Sequence, residues 1–255
     1  MQIDLAGRVG VVTGGSRGIG AATVKLLAAA GASVVFNYHR NAHAAKAVEK
    51  AVAEAGGTAL AVRADVSKMA GATLLINSAV QKFGRIDTLV ANAGIWNAEP
   101  APIDKMTEEQ WDEMMAINLK GVYTVIRQAT SHMIRQKSGR IIVVSSTAGQ
   151  RGEAFHTHYG ASKGGAISLV KGLSTELASH NILVNCVAPG WVDTDMCLSV
   201  TTDPAELNRV SAGIPLRRLA RPEEIAMPIL FLASEMASYI TGEILNVNGG
   251  NVLCG

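Results

Sequence analysis

Three side chains in this chain could together move one proton: the hydroxyl of Ser146, the phenol of Tyr159 and the amine of Lys163. Ser146 follows the run Arg140 to Ser145, which reads as a buried strand entering a loop. Tyr159 and Lys163 stand four positions apart in an Ala- and Gly-rich segment of helical character, so they share one helix face. A free Tyr has a pKa of about 10 and gives up its proton poorly near neutrality, but an ammonium one turn away would stabilise the phenolate and bring that value down. Such a Tyr can act as general acid or base. By itself Tyr-x-x-x-Lys is a weak motif, equally readable as a half-buried Tyr above a solvated Lys. Its weight depends on the elements that would place it.

Those elements begin with the short apolar run Val9 to Thr13, the turn Gly14-Gly15-Ser16-Arg17-Gly18-Ile19-Gly20, and a helical stretch from Ala21 to Ala30. Glycines in a strand-turn-helix unit let the backbone approach a pyrophosphate, and the helix start offers free N–H groups and a positive dipole end. The spacing is Thr-Gly-x-x-x-Gly-x-Gly, which differs from the commoner dinucleotide fingerprint. A second strand, Ser33 to Asn37, ends without the acid that would bind the ribose hydroxyls of NAD. No Asp or Glu occurs between Asp4 and Glu49. Arg17 and Arg40 could instead clamp a phosphate, so NADP(H) is the expected cofactor, with NAD(H) possible. Two solvated turn arginines are the alternative.

Further strands are expected at Thr58 to Arg63, Thr88 to Ala91, Ile182 to Ala188 and Glu243 to Val247, with helices at Ala42 to Ala55, Val122 to Gln136 and Glu223 to Ala233. Asp65 and Val66 end the third strand, and Ser67 reads as the N-cap of a helix to Phe83. Asp65 could touch an adenine or cap that same helix. Asn92-Ala93-Gly94 turns away after the fourth strand. Asn118 lies among apolar neighbours in a helix begun by Thr107, as a structural anchor or a member of the catalytic group. Beyond Pro189-Gly190, residues 190–215 mix turn formers with Trp191, Met196 and Val210, and read as an irregular lid over a substrate. His156 and His158 would point to opposite faces of an extended loop.

The alternation predicts an α/β fold in one domain, residues 1–255. It would be a Rossmann-type doubly wound parallel sheet of about seven strands, with helices on both faces. The glycine turn, Asn92 to Gly94, Ser146 and Pro189-Gly190 each follow a strand, so they should converge at one sheet edge. The formal charge of +2 over 255 residues argues against nucleic acid or an anionic membrane as main partner. No apolar run is long enough to span a bilayer, and the start of the chain lacks the pattern of a signal peptide, so a cytoplasmic protein is expected. Cys186, Cys197 and Cys254 suggest neither disulfides nor a metal site.

With Thr13-Gly14-x-x-x-Gly18-x-Gly20, Asn92-Ala93-Gly94, Asn118, Ser146, Tyr159-x-x-x-Lys163 and Pro189-Gly190-x-x-x-Thr194 in this order, the chain resembles the short-chain dehydrogenase/reductases over essentially its whole length. Within them it looks most like the 3-oxoacyl-[acyl-carrier-protein] reductases. The resemblance implies that Tyr159 protonates a carbonyl oxygen during reduction, Lys163 lowers its pKa and bonds the nicotinamide ribose, Ser146 polarises the carbonyl, and Asn118 supports a proton-relay water. It further implies cofactor contacts at Gly14 to Gly20, Arg40, Asp65, Val66, Asn92 to Gly94, Pro189, Gly190, Val192 and Thr194, no metal, and a homotetramer. Ala91 stands where many members carry Asn. His156, His158 and His180 replace the Gln, Asn and Arg common in the carrier-protein reductases.

Three functions fit: NADPH-dependent reduction of a 3-oxoacyl thioester, oxidation or reduction of another alcohol or ketone, and a non-catalytic dinucleotide-binding regulator. The small residues Gly160 to Ala166 would admit a neighbouring helix or pack on the chain's own sheet.

Overall fold

In the computed structural model, which describes residues 3–253, seven strands form one sheet in the order β3-β2-β1-β4-β5-β6-β7, every pairing parallel. In chain order, β1 (Val9–Val12), α1 (Gly18–Ala29), β2 (Ser33–Tyr38), α2 (Ala42–Glu54), β3 (Thr58–Arg63) and α3 (Met69–Phe83) build one half. The other half is β4 (Thr88–Ala91), α4 (Glu108–Met115), α5 (Gly121–Gln136), β5 (Gly139–Val144), α6 (Ala148–Arg151), α7 (Thr157–Leu177), β6 (Ile182–Pro189), α8 (Leu198–Thr201), α9 (Pro204–Ala212), α10 (Pro222–Ala233) and β7 (Ile244–Val247). The chain moves outward from β1 to β3, then restarts on the other side of β1 with β4. That reversal opens a crevice at the carboxyl ends of the strands.

The central strands are apolar runs because both of their faces are covered. Successive side chains of β5 alternate: Ile141 and Val143 join a core under α3, α5 and α7, while Ile142 and Val144 join a second core under α1, α2 and α10. A third, small cluster of Val200, Val210, Ile214 and Leu219 holds the segment after β6 together and takes Trp191 and Leu207 at its edge.

Four local expectations are corrected. Ser67 does not cap α3: Lys68 holds the N-cap position, and Ser67 gives both its N–H and its hydroxyl to Asp65. The expected separate helices around Asn118 join α4 to α5 through a π-helical turn, Ala116–Lys120. The segment after Gly190 is largely helical, since Asp203 accepts the N–H of Ala205 and Pro204 opens α9. His156 and His158 lie at the start of α7 and are both buried, because the helix begins one turn earlier than an extended loop would allow. Cys254 lies outside the described residues.

Three small residues of α7 approach other parts of the chain closely. A Cβ at Gly165 would come 3.0 Å from Leu119, one at Gly160 3.2 Å from the Glu153 backbone, and one at Gly164 3.2 Å from the Gly149 carbonyl.

Candidate active site

The crevice starts where four strand ends are laced together. Thr13 Oγ1 accepts the N–H groups of Asn92 and Ala93, both at 2.9 Å, and Asn92 Nδ2 donates to the Thr13 carbonyl. Gly14 N donates to Asn37 Oδ1, while Asn37 Nδ2 reaches the Ala64 carbonyl at the end of β3. Asn92 is thus a clamp on the glycine loop.

Two glycines are demanded by close approach. A Cβ on Gly20 would sit 2.2 Å from the Gly14 carbonyl oxygen, and one on Gly15 2.5 Å from Phe36. Gly15 is therefore buried against β2 and, alone among the expected cofactor residues, does not line the cleft. Arg17 occupies the N-cap of α1 in an extended conformation without a side-chain cap. The first amides of that helix are left to face an anion. These features fit a pyrophosphate.

Arg17 and Arg40 line the same cleft together with His39, and all three are exposed. Arg17 Nη1 also lies 3.6 Å from Asp195, which ties the glycine loop to the segment after β6. Burial raises the Asp65 carboxyl, but the two Ser67 donors and the neighbouring His39 and Lys68 outweigh it and hold the group below its ordinary value.

The proposed proton-moving group stands farther along the cleft, at the end of β5. Ser146 and Tyr159 both line this end of the cleft, near enough for the Ser146 hydroxyl to favour the phenolate, and Ser146 Oγ accepts the Ala148 N–H at 3.1 Å. Lys163 is buried, donates to the Val144 carbonyl at 3.0 Å, and holds its ammonium 5.9 Å from the centre of the Tyr159 ring. Ser145 Oγ in turn donates to the Lys163 carbonyl, pinning α7 to β5.

The electrostatics differ from the sequence expectation. Burial pushes the Tyr159 phenol up to about 12, against the pull of the Ser146 bond, with Cys197 and Glu153 adding to the rise. Burial also brings Lys163 down to about 8. In the free cleft, desolvation dominates both groups.

Asn118 is fully buried and stands behind the cleft wall instead of on it. Its side chain accepts the Ile95 N–H at 2.8 Å, donates to the Ile95 carbonyl at 2.9 Å and lies 3.3 Å from Ser162. A Cβ on Gly94 would meet both Asn118 Oδ1 and Lys163 Nζ, at 3.2 and 3.4 Å. Asn118 thus ties the Asn92 to Gly94 turn to α7 from behind.

Residues 14–251 match the family model described as "Enoyl-(Acyl carrier protein) reductase". The chain is similar to a 3-oxoacyl-[acyl-carrier-protein] reductase of Synechocystis, 42% identical over 98% of each chain. An acetoacetyl-CoA reductase of the same organism is 40% identical over 98% of this chain and 99% of its own. A solved protein of Sinorhizobium meliloti, assigned as a short-chain alcohol dehydrogenase, superposes with a TM-score of 0.92 at 34% identity over 97% of each chain. The chain belongs to the short-chain dehydrogenase/reductase family.

As a short-chain dehydrogenase/reductase the protein is a nicotinamide-dinucleotide oxidoreductase acting on CH–OH groups. Pro189, Gly190, Val192 and Thr194 line its cleft opposite the glycine loop, and the Thr194 methyl would lie 3.1 Å from a Cβ on Gly18. Beyond them the lining includes His39, Asn41, Glu153 and Cys197, which sequence reasoning did not single out. Only His39 had a local signal, since it directly follows β2 beside Arg40. Glu153 and Cys197 reach the reductase cleft through tertiary packing.

Proposed function

We propose that the protein reduces the ketone of a 3-oxoacyl thioester to a secondary alcohol, with NADPH as hydride donor. The observation that carries this reading is the gathering of Ser146, Tyr159 and Lys163, the ammonium 5.9 Å from the phenol ring, at the end of the crevice that starts at the glycine loop. When bound, the cofactor supplies the hydride to the carbonyl carbon, and the chain supplies orientation and the proton.

Ser146 donates to the ketone oxygen and polarises it. Tyr159, protonated across the neutral range, gives that oxygen its proton as the new C–H bond forms. Lys163 stabilises the phenolate left behind. The acid-free end of β2, with Arg17 and Arg40 in the cleft, supports preference for a 2′-phosphate over bare ribose hydroxyls. Residues 190–215 act as the lid, tethered by Arg17 to Asp195.

The reading extends to one domain over residues 1–255, a cytoplasmic homotetramer, and catalytic and cofactor residues as the resemblance implies, with Asn118 acting from behind the wall. Among the described residues no helix is long and apolar enough to cross a membrane. Exposed Trp111 and Tyr123, on α4 and α5, offer apolar contact to another copy. A monomer in sedimentation at micromolar concentration would refute the tetramer.

The decisive assay follows oxidation of NADPH and NADH with acetoacetyl-CoA beside a panel of unrelated ketones. Strong NADPH-dependent turnover of the thioester is expected. Activity restricted to other ketones would refute the 3-oxoacyl reading.

A further inference from the structure

The sheet order sets β5 between β4 and β6, and the segments leaving these three strands meet beyond Ser146. Trp96 comes from the loop after β4 and Trp191 from the loop after β6. Their rings touch edge to face, with centroids 5.8 Å apart and planes at 87°. His156, from the segment after β5, lies against Trp96 at 5.3 Å and 30°. Both tryptophans line the cleft together with Ser146 and Tyr159.

This wall is braced. Trp191 packs against the small cluster that includes Val200 and Val210. His156 Nδ1 lies 3.3 Å from the Ala154 carbonyl, which only accepts, so this nitrogen carries a proton. His156 Nε2 is buried without a hydrogen-bond partner among the described residues. The whole cleft holds about 760 Å³. This cleft has to take both dinucleotide and substrate, yet its volume lies within the roughly 300 to 1,000 Å³ typical of a pocket for a single ligand.

A ketone held by Ser146 and Tyr159 carries two substituents, of which one can leave along the open cleft and the other faces this wall. We propose that Trp96 and Trp191, with His156 bracing Trp96 from behind, close the acyl side of the site, so that the protein selects 3-oxoacyl groups ending in a methyl or ethyl on the ketone carbon and rejects long acyl chains. The proposal rests on the 3-oxoacyl reading above and names its substrate class. A longer chain would have to displace an indole that is held on two sides, or lie in water and lose its apolar contacts.

The test measures kcat/KM along a series of 3-oxoacyl-N-acetylcysteamine thioesters from acetoacetyl to 3-oxododecanoyl, and along the matching ethyl esters. In the native protein the efficiency should fall by about 100-fold or more over the series, and Trp96→Ala should flatten the fall to within about tenfold. Trp96→Phe and Trp191→Leu, which keep more of the packing, should lie between and read the same slope if the alanine variant does not fold. A flat series in the native protein overturns the proposal, as does an unchanged slope in folded Trp96→Ala. If the esters show the slope while no thioester is reduced, the wall stands and the thioester reading falls. If thioesters are reduced at all lengths alike, the thioester reading stands and the wall falls.

Discussion

At the β1 to β3 end of the cleft the wall is mostly backbone, and its polar groups are paired: Thr13 with Asn92 and Ala93, Gly14 with Asn37, Asn37 with Ala64. At the β5 to β6 end the wall is side chains carried on α7 and on the segment after Gly190. Three of the four buried side-chain atoms that lack a partner among the described residues, Gln150 Oε1, His156 Nε2 and His158 Nδ1, belong to residues 150–158. Phe155 in the same stretch holds a left-handed backbone at φ 61° with its ring exposed. The first end is built like a socket for a group of constant shape. The second is backed by a stretch that keeps unsatisfied polar atoms and a left-handed residue just behind the lining.

The contrast can be broken most severely at the reaction end. Tyr159→Phe keeps the packing and removes the proton, so turnover should fall by about 10² to 10⁴-fold while dinucleotide affinity stays nearly unchanged in a fluorescence titration. Near-normal turnover would sink the assignment of Tyr159 as the acid.

At the socket end Arg40→Asp should reverse the attraction for a 2′-phosphate. The loss of a charge-assisted bond predicts that the NADPH/NADH ratio of kcat/KM drops by about 10- to 100-fold. An unmoved ratio would make Arg40 a solvated turn residue.

A pH profile probes the electrostatics between the two ends. Lys163 is lowered to about 8, so its positive charge is full below that value and lost above it; Tyr159, raised to about 12, keeps its proton throughout. Reduction should therefore show a flat neutral region and a decline above about pH 8, close to tenfold per unit at its steepest. A flat profile to pH 10 would show that Lys163 stays charged.

The smallest effects sharpen the steric side of the comparison. Gly20→Ala sets a methyl on the Gly14 carbonyl and should cost about 1–3 kcal/mol in denaturant unfolding. Gly172→Ala, on an exposed turn of α7 with open space around it, should gain about 0.5–1 kcal/mol. Equal effects at the two positions would mean that the socket is less tightly built than its geometry says.

Strands were the most legible part of this fold. Thr58–Arg63 and Thr88–Ala91 match their expected limits residue for residue, because apolar runs bounded by Gly56-Gly57 or by the Asn92 turn leave the boundary little freedom. Helix ends were less legible. Ser67 looks like a cap, but the nearer carboxylate of Asp65 takes its hydroxyl. Asp203-Pro204 is a sound helix start that the surrounding turn formers obscured. The π-helical turn at Asn118 has no local signature, since it depends on what Ile95 and Ser162 ask of that amide.

By itself the sequence determined the alternation of strands and helices, the glycine turn and the i, i+4 register of Tyr159 and Lys163, since each follows from periodicity or spacing along the chain. Only the tertiary structure decided that burial sets the ionisation of that pair, that Gly15 serves packing, that Asn118 stands behind the wall, and that Trp96 meets Trp191 across the end of β5. Those outcomes depend on the dielectric and the neighbours created when distant segments meet, and no stretch of the chain carries them alone.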